Sequence, residues 1–552
     1  MNSADADLRD YHAAYSAFSL AEVEKQLSGD LHRNVNVCVE CCDRHPPADV
    51  ALLWDNEWGK ADRVTFGELR TRAGKFANFL ESLGIGRGDR VAGLLPRTPD
   101  LLTVVLGTLR TGAVYQPLFT AFGSKAIEHR VRSAETKLIV TDTANRHRLD
   151  GVCGLPPVAT LADRHLLRPA DIDLRRALAE APAEFQPAVL TGNDPMLMMF
   201  TSGTTGLAKG ILVPTKALLS FITYLEFGVG VRPADSYWNM ADPGWAYGLF
   251  FAVIAPLVLG RSTILYDGPF SAESAYRIIA KHRVSVLVGA PTAYRLMMAA
   301  GAEAARPVNG YLRVVASGGE PLNPEVIRWF DTHLGAKVGD HYGQTEGGMM
   351  VCNHLGLDHA VKLGSAGLPT LGMRIAVLGP SDDELLPGQP GILAVDRTQS
   401  PLFWFAGYHQ HSPLDARYHR TGDTAVMDAD GYITIVGRAD DVITSAGYRI
   451  GPYDVESALI EHPAVLESAV IGRPDPGRTE VVRAYIVLRL GFEPTDALAA
   501  ELSLFVKNRL SAHAYPREIE FVRELPKTPS GKVQRYILRQ QASEAAPGQN
   551  GQ

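Results

Sequence analysis

The sequence predicts an α/β protein: a large, multi-subdomain N-terminal part built on mostly parallel sheets, followed by a small α/β domain. Three observations predict it. Short apolar runs that stop at Gly-, Ser- or Thr-rich turns alternate with segments of helical periodicity, the mark of βαβ units. At 552 residues the chain is too long for one core and requires at least two domains. Beyond Asp440, about a hundred residues carry a self-contained α/β pattern, an ordinary size for a separate small domain.

Composition narrows the class further. Hydrophobic residues at 46% and charged residues at 21% describe a globular chain rather than a disordered one. A net charge of -7 argues against a nucleic-acid partner. The opening residues, Met1-Asn2-Ser3-Ala4-Asp5-Ala6-Asp7, are acidic and lack the apolar core of a secretory leader. No window has the apolar length of a transmembrane segment, so the expected address is cytoplasmic. Five cysteines suit a reducing compartment. Cys38, Cys41 and Cys42 beside His45 invite a metal reading, but they lie on the apolar face of an expected helix with no second, spaced ligand pair. Cys153 and Cys352 read as buried small apolar residues.

Residues 1–35 read as helical and peripheral. Thr65 and Glu68 make a capping-box pattern. The helix they open places Phe66, Leu69, Ala73, Phe76, Ala77, Leu80 and Leu83 on one face and closes at Gly84. Residues 90–95 and 137–142 read as strands, and Leu118 to Gly123 as loop and core packing. Residues 143–190, with several charges and prolines, read as an irregular connection.

Met196 to Phe200 is predicted to be a buried strand, and it breaks into Thr201-Ser202-Gly203-Thr204-Thr205-Gly206-Leu207-Ala208-Lys209-Gly210. Glycines let a backbone approach an anion, successive N–H groups form a nest for phosphate oxygens, and the hydroxyls and Lys209 add donors and charge. A solvated linker would not follow a buried strand so abruptly. A Walker A loop is excluded, because Gly210 follows the lysine where Ser or Thr is needed. Asn239 to Gly248 holds turn formers with Trp245 and Tyr247; it reads equally as a helix-capping turn or as the wall of an apolar pocket. Three stretches, 284–291, 312–321 and 340–347, each read as a strand running into a turn. Ligands of open α/β sheets bind at such carboxyl ends. Gly318 and Gly319 would let a flat ring slide against the backbone, and Glu346 could hold magnesium together with phosphate oxygens. With the phosphate loop, these ends suggest a nucleoside triphosphate site.

After Ala394, turn-rich segments lead to Thr421-Gly422-Asp423 and to Gly437-Arg438-Ala439-Asp440-Asp441, where Asp423 and Arg438 are candidates for ribose hydroxyls. In the small domain, 467–472 and 482–488 read as strands and 496–510 as a helix. Pro529-Ser530-Gly531 would hold Lys532 out on a short arm, with a solvated basic tail as the plain alternative. Little is expected after Arg535, and residues 543–552 read as disordered.

In this order the pieces resemble the adenylate-forming superfamily, which includes acyl-CoA synthetases, peptide-synthetase adenylation domains and firefly luciferase. The resemblance runs from Thr65 to Arg535. It is carried by Thr201 to Gly206, Ser317-Gly318-Gly319-Glu320, Tyr342-Gly343-Gln344-Thr345-Glu346, Thr421-Gly422-Asp423, Gly437 to Asp441, and Pro529 to Lys532. Each motif is weak to moderate alone; six in family order are specific. Ser445 to Pro452 and Asp242-Pro243-Gly244-Trp245 look most like acetyl- and medium-chain acyl-CoA synthetases.

The resemblance implies two half-reactions: a carboxylate attacks ATP to give acyl-adenylate and pyrophosphate, and after the small domain swivels, coenzyme A displaces AMP. It implies a large adenylation domain over 1–437, a hinge over 438–441 centred on Asp440, and a small mobile domain over 442–552. Thr201, Ser202, Gly203, Thr204, Thr205, Gly206 and Lys209 would hold the β- and γ-phosphates. Gly318, Gly319, Glu320, Pro321 and Tyr342 would surround adenine, within a nucleotide site that also takes in His341, Gly343, Gln344 and Ile435. Thr345 would touch the α-phosphate, Glu346 would ligate Mg2+, and Asp423 with Arg438 would bind ribose. Lys532 would bridge carboxylate and α-phosphate during adenylation. Gly447, Tyr448 and Arg449 would meet coenzyme A after the swivel, Arg449 counting with Lys532, Thr201 and Glu346 as catalytic.

Ala208 stands where the family often has proline, and Pro214 where it often has histidine; neither removes a phosphate donor. Acetyl-CoA synthetases carry a tryptophan at the place of Gly343 that shortens the acyl pocket. Glycine there implies an acid larger than acetate (medium-chain, branched or aromatic), with Trp245 and Tyr247 as apolar walls. The alternatives are a short-chain acetate or propionate ligase, or a ligase loading a separate carrier protein. A homodimer, and a lysine acetyltransferase or deacetylase acting on Lys532, are compatible with the resemblance.

Overall fold

The computed structural model describes residues 8–201, 208–320, 322–438, 441–445, 448–475, 478–510, 514–527 and 533–544. Four sheets organise them. The first has seven strands in the order Ile172–Asp173, Val158–Leu161, Leu138–Asp142, Arg90–Leu94, Val114–Pro117, Pro195–Phe200 and Gly210–Pro214. It is parallel except for its last pair, an antiparallel hairpin.

The second sheet has nine strands. Six neighbours are parallel: Lys337–Gln344, Val314–Gly318, Val286–Gly289, Tyr237–Asn239, Thr263–Asp267 and Val50–Asn56. Gly348–Cys352 and Leu368–Pro369 close one edge and Ala61–Thr65 the other, all antiparallel. Buried on both faces by helices, such strands read as the continuous apolar runs seen in the sequence. A four-stranded antiparallel sheet follows: Ile375–Leu378, Pro390–Asp396, Tyr418–Met427 and Ile433–Arg438.

The small C-terminal domain carries the fourth sheet, built on Val465–Asp475 and Thr479–Leu488, with the helix Asp496–Arg509 packed on it. Its cores, one around Val470, Ala484 and Leu502 and one around Tyr485, Leu525 and Leu538, are made of residues from 443 onward. No helix among the described residues is long and apolar enough to cross a membrane.

The helix Phe66–Ser82 opens with the expected reciprocal cap between Thr65 and Glu68. Its face is buried as predicted except Leu83, which lies past the end and is 41% exposed. Several expectations are corrected. The N-terminal helices Tyr11–Ser16 and Leu20–Glu24 are short and not peripheral: Tyr11 is buried, and its hydroxyl donates to the Pro369 carbonyl at 2.9 Å. Residues 143–190 supply two strands and a helix, Leu174–Glu180. That segment is anchored by Asn78, whose Nδ2 donates to the carbonyls of Pro182 and Glu184, each at 2.9 Å. Cys153 is exposed, whereas Cys352 is buried. The helix Arg535–Glu544 reaches into the tail expected to be disordered; residues 545–552 lie outside the described residues. Cys38, Cys41 and Cys42 are buried around one helical turn, and burial pushes the Cys38 thiol up to about 12.

The closest approach in this region is at Gly74, where a Cβ would stand 1.8 Å from the Ala183 carbonyl oxygen. Gly74→Ala must push the 182–184 segment off the helix, and the expected loss of unfolding free energy is about 1–3 kcal/mol in a urea titration. An unchanged midpoint would contradict this packing.

Candidate active site

Register alone sets the site. Gly289 pairs with Ser317, Ser317 with Asp340, and Gly318 with His341, so two strands end beside Asp340 and His341 while Lys337–Gln344 runs on past them. Gly319 has φ +97°, a conformation L side chains rarely adopt, and nothing lies within 4 Å of where its Cβ would be. The Ser317 hydroxyl and Asp340 Oδ1 are buried there with no hydrogen-bond partner among the described residues. Burial pushes the Asp340 carboxyl up to about 8, which keeps it protonated and neutral near pH 7. Two orphaned polar atoms beside an open glycine suit a polar, flat ligand edge.

The third sheet meets this edge through Asp423. Tyr342 Oη and Gln344 Nε2 both donate to Asp423 Oδ2, the latter at 2.9 Å, and Arg438 Nη1 lies 3.5 Å from Oδ1. Asp423 and Arg438 are Cα partners across the antiparallel pair, and Gly422 backs onto the guanidinium, 3.2 Å from where its Cβ would stand. Burial and the facing Asp423 charge hold the Tyr342 phenol well above its ordinary pKa, so it stays a donor. Ile435, paired with Ala425, packs against the main core.

The hairpin that the sequence assigns to phosphates is closed at its neck by Thr201 N–H donating to the Lys209 carbonyl at 3.0 Å. Residues 202–207 lie outside the described residues, as do Pro321, Asp440, Gly447 and Lys532. Tyr448 and Arg449 belong to a strand, Tyr448–Ile450, that pairs with Ile443–Ser445. Thr345 sits in the turn between Lys337–Gln344 and Gly348–Cys352. A residue the sequence reading missed joins these parts. The Lys209 ammonium lies 4.8 Å over the Tyr408 ring, Tyr408 Oη donates to Glu346 Oε1 at 2.9 Å, and His409 N–H donates to the Gly210 carbonyl at 2.8 Å. The aromatic run Phe403-Trp404-Phe405 before Gly407-Tyr408 was its only signal.

Glu346 is half-buried, and no group of three or more His, Cys, Asp or Glu side chains that could hold a metal occurs among the described residues. One carboxylate, with the remaining positions left to water and substrate phosphate oxygens, is the donor set that suits magnesium.

Three expectations need correction. His341 is buried with both ring nitrogens occupied, Nδ1 by Tyr224 at 2.8 Å and Nε2 by the Asn353 carbonyl at 3.0 Å, so its side chain does not face a nucleotide. The Glu320 carboxylate turns away to Thr292 and Arg295. The space at Gly343 is filled: a Cβ there would meet the Gly348 carbonyl oxygen at 2.4 Å and Met349 Sδ at 2.6 Å. Trp245 and Tyr247 also part company. Trp245 packs on Phe119 and Phe122, whereas Tyr247 packs on Phe251 beside Gly318.

Residues 39–409 match the family model described as AMP-binding enzyme, and 454–532 the AMP-binding enzyme C-terminal domain. The chain belongs to the AMP-binding enzyme family. It is 36% identical over 547 residues to the acetyl-coenzyme A synthetase of Bacillus subtilis (strain 168), covering 97% of this chain and 95% of that one. It is 36% identical over 512 residues to the mitochondrial acyl-coenzyme A synthetase ACSM4 of Rattus norvegicus, covering 90% and 87%. The crystal structure of a Brucella canis acyl-CoA synthetase superposes with a TM-score of 0.80 at 52% identity, over 97% of this chain and 99% of that one. Within the family this chain is an acid–thiol ligase of the AMP-forming acyl-CoA synthetase class.

Two outcomes are expected. Tyr408→Phe removes a hydrogen bond to a charged group and should lower pyrophosphate release by roughly 10–100-fold at limiting magnesium; full activity would contradict the bracing of Glu346. Asp340 binds its proton more tightly folded than unfolded, so its contribution to stability falls as pH rises from about 4 to about 8. Asp340→Asn, a neutral isostere, should therefore be more stable than the parent above pH 8, on the order of 2 kcal/mol, with the gap closing near pH 4. Parallel pH–stability curves would refute it.

Proposed function

We propose that this protein joins a carboxylic acid larger than acetate (medium-chain, branched or aromatic) to coenzyme A through an acyl-adenylate. The observation that carries the reading is the meeting of the Gly289 and Gly318 strand ends, and the strand that runs past them to Gln344, with the Asp423–Arg438 pair and the Lys209 end of the hairpin. These parts support a site for bound ATP. A carboxylate oxygen attacks the α-phosphorus and the bond to pyrophosphate breaks. The coenzyme A sulfur then attacks the acyl carbon, the bond to AMP breaks, and the thiol proton leaves to solvent.

In this reading Thr201, the 202–206 loop and Lys209 hold the outer phosphates. Gly318, Gly319 and Tyr342 flank adenine, and the spare oxygen of neutral Asp340 accepts from its exocyclic amine. Thr345 reaches the α-phosphate, and Asp423 with Arg438 takes the ribose hydroxyls. Glu346, oriented by Tyr408, would hold magnesium, which when bound offsets charge on the departing pyrophosphate. Two anions must meet at the α-phosphorus, so a cation there dominates the barrier, and Lys532 is the residue assigned to it. A turn of residues 442–552 about a 438–441 hinge at Asp440 would then withdraw Lys532 and bring Gly447, Tyr448 and Arg449 to coenzyme A. The larger acid rests on the resemblance, in which glycine at 343 replaces the tryptophan of acetyl-CoA synthetases, and not on open space at Gly343, which Gly348 and Met349 fill.

Lys532→Ala is expected to lower adenylate formation by about 10²–10³, read as pyrophosphate release, while sparing thioester formation from supplied acyl-adenylate. Acetylation of Lys532 erases the same charge and should act alike. Equal damage to both halves would refute the two-position role. Across acetate, butanoate, hexanoate and benzoate, kcat/KM for AMP formation should rise beyond acetate; a steady fall would overturn the assignment of acid size.

A further inference from the structure

The small domain touches the edge of the nine-stranded sheet through residues that no step above uses. Its helix Pro452–Ile460 packs on the strand Ile433–Arg438 so closely that a Cβ on Gly451 would stand 2.8 Å from the Val436 carbonyl oxygen. Farther along the same helix, the buried Asn323 side chain of the large domain spans the boundary. Its Oδ1 caps the helix Pro324–Leu334, accepting from Glu325 N–H at 2.8 Å, and its Nδ2 donates to the Ser457 carbonyl at 3.2 Å. The cap fixes the amide: with the oxygen committed to an N–H, only the amino group can face the small domain.

Charges alternate across the same boundary. The large domain contributes Arg295 and Glu320, 3.3 Å apart. The small domain contributes Arg535, which donates to both oxygens of Glu456 at 2.7 and 2.8 Å. From the junction comes Asp441, 3.7 Å from Arg535 and 2.5 Å from Arg539. Burial alone would lower the Arg535 guanidinium's pKa; the charges of Glu456, Asp441 and Glu320 outweigh it and hold the pKa above its ordinary value. Glu320 therefore belongs to the field around a cation of the other domain, which accounts for a carboxylate that turns away from the strand ends.

We infer that Glu320 and Asn323 are positioning residues, which dock the small domain on the sheet edge and thereby set the rate of acid activation. This rests on the synthetase reading above and adds two residues to it. Arg535 stands three places after Lys532, so a contact that seats Arg535 also anchors the segment that carries that lysine. Neither Glu320 nor Asn323 has to touch a substrate for this role.

The test uses the full-length enzyme. Asn323→Asp keeps the cap, because an Asp oxygen accepts from Glu325 N–H as well as an Asn oxygen does, but it sets a carboxylate against the Ser457 carbonyl. Glu320→Gln keeps the shape and removes the charge. In pyrophosphate release from ATP and acid, kcat should fall by about ten-fold or more in Asn323→Asp and about three-fold or more in Glu320→Gln. KM for ATP and thioester formation from supplied acyl-adenylate should both stay within about two-fold of the parent, since a docking contact binds neither nucleotide nor coenzyme A. Trypsin should separate the two domains faster in both variants, by about the same factors, because the undocked population rises. Should Asn323→Asp not fold, Glu320→Gln carries the same readouts. Equal loss in both half-reactions, a change confined to KM for ATP, parental kcat, or tryptic separation at the parental rate overturns this inference and leaves the synthetase reading standing. Pyrophosphate released by the parent with none of acetate, butanoate, hexanoate and benzoate overturns the synthetase reading, and this inference with it.

Discussion

The register between Val314–Gly318 and Lys337–Gln344 is the constraint on which the rest depends. In a parallel sheet, a slip of one residue turns every side chain to the other face. Here it would exchange Ser317 for Gly318 at the edge and turn Asp340 out of its buried position. The register is held by apolar residues with no polar alternative, Val314, Val315 and Ala316 against Val338, all buried. Chemistry at the edge therefore rests on packing several residues away, as is usual for α/β proteins.

Around that edge the third sheet acts as a cover bearing charged and polar groups. Tyr342 and Asp423 lie 81 positions apart in the chain, and Tyr408 and Glu346 62 apart, yet each pair is in hydrogen-bond contact. The site is thus a seam between separately folded layers, with little of it belonging to one layer alone. Tyr408 lies on the seam: its ring meets a lysine from one sheet and its hydroxyl a carboxylate from another. The proposed phosphate-binding and magnesium-binding parts would then be coupled mechanically as well as through charge.

Much of this was legible in the sequence, and the reasons are local. Strands such as Pro195–Phe200 and Val314–Gly318 announce themselves as apolar runs stopped by glycine, and the Thr65 cap as a four-residue pattern. Asp423 and Arg438 stand out as separate candidates because both lie in turn-flanked motifs, but their pairing across strands is visible only in the structure. What stayed hidden was whatever depends on direction or on long-range contact. Gly343 reads as empty space, but its backbone lies too close to Gly348 and Met349 for any to remain. His341 reads as a nucleotide ligand, but its ring points into the core, where Tyr224 and Asn353 occupy it. Residues 143–190 read as irregular because their strands are short and are recruited by an existing sheet edge rather than by their own apolar pattern.

The distribution of thiols has a practical side. Cys38, Cys41, Cys42 and Cys352 are shut inside the core with raised pKa values, and thiolate is the form that reacts. Of the five cysteines only Cys153 meets solvent, on a loop of the first sheet remote in sequence from the hairpin and the seam. A maleimide dye would consequently attach at one place on the native enzyme, giving a fixed reference point against which a second label on the small domain could test the proposed swivel by energy transfer.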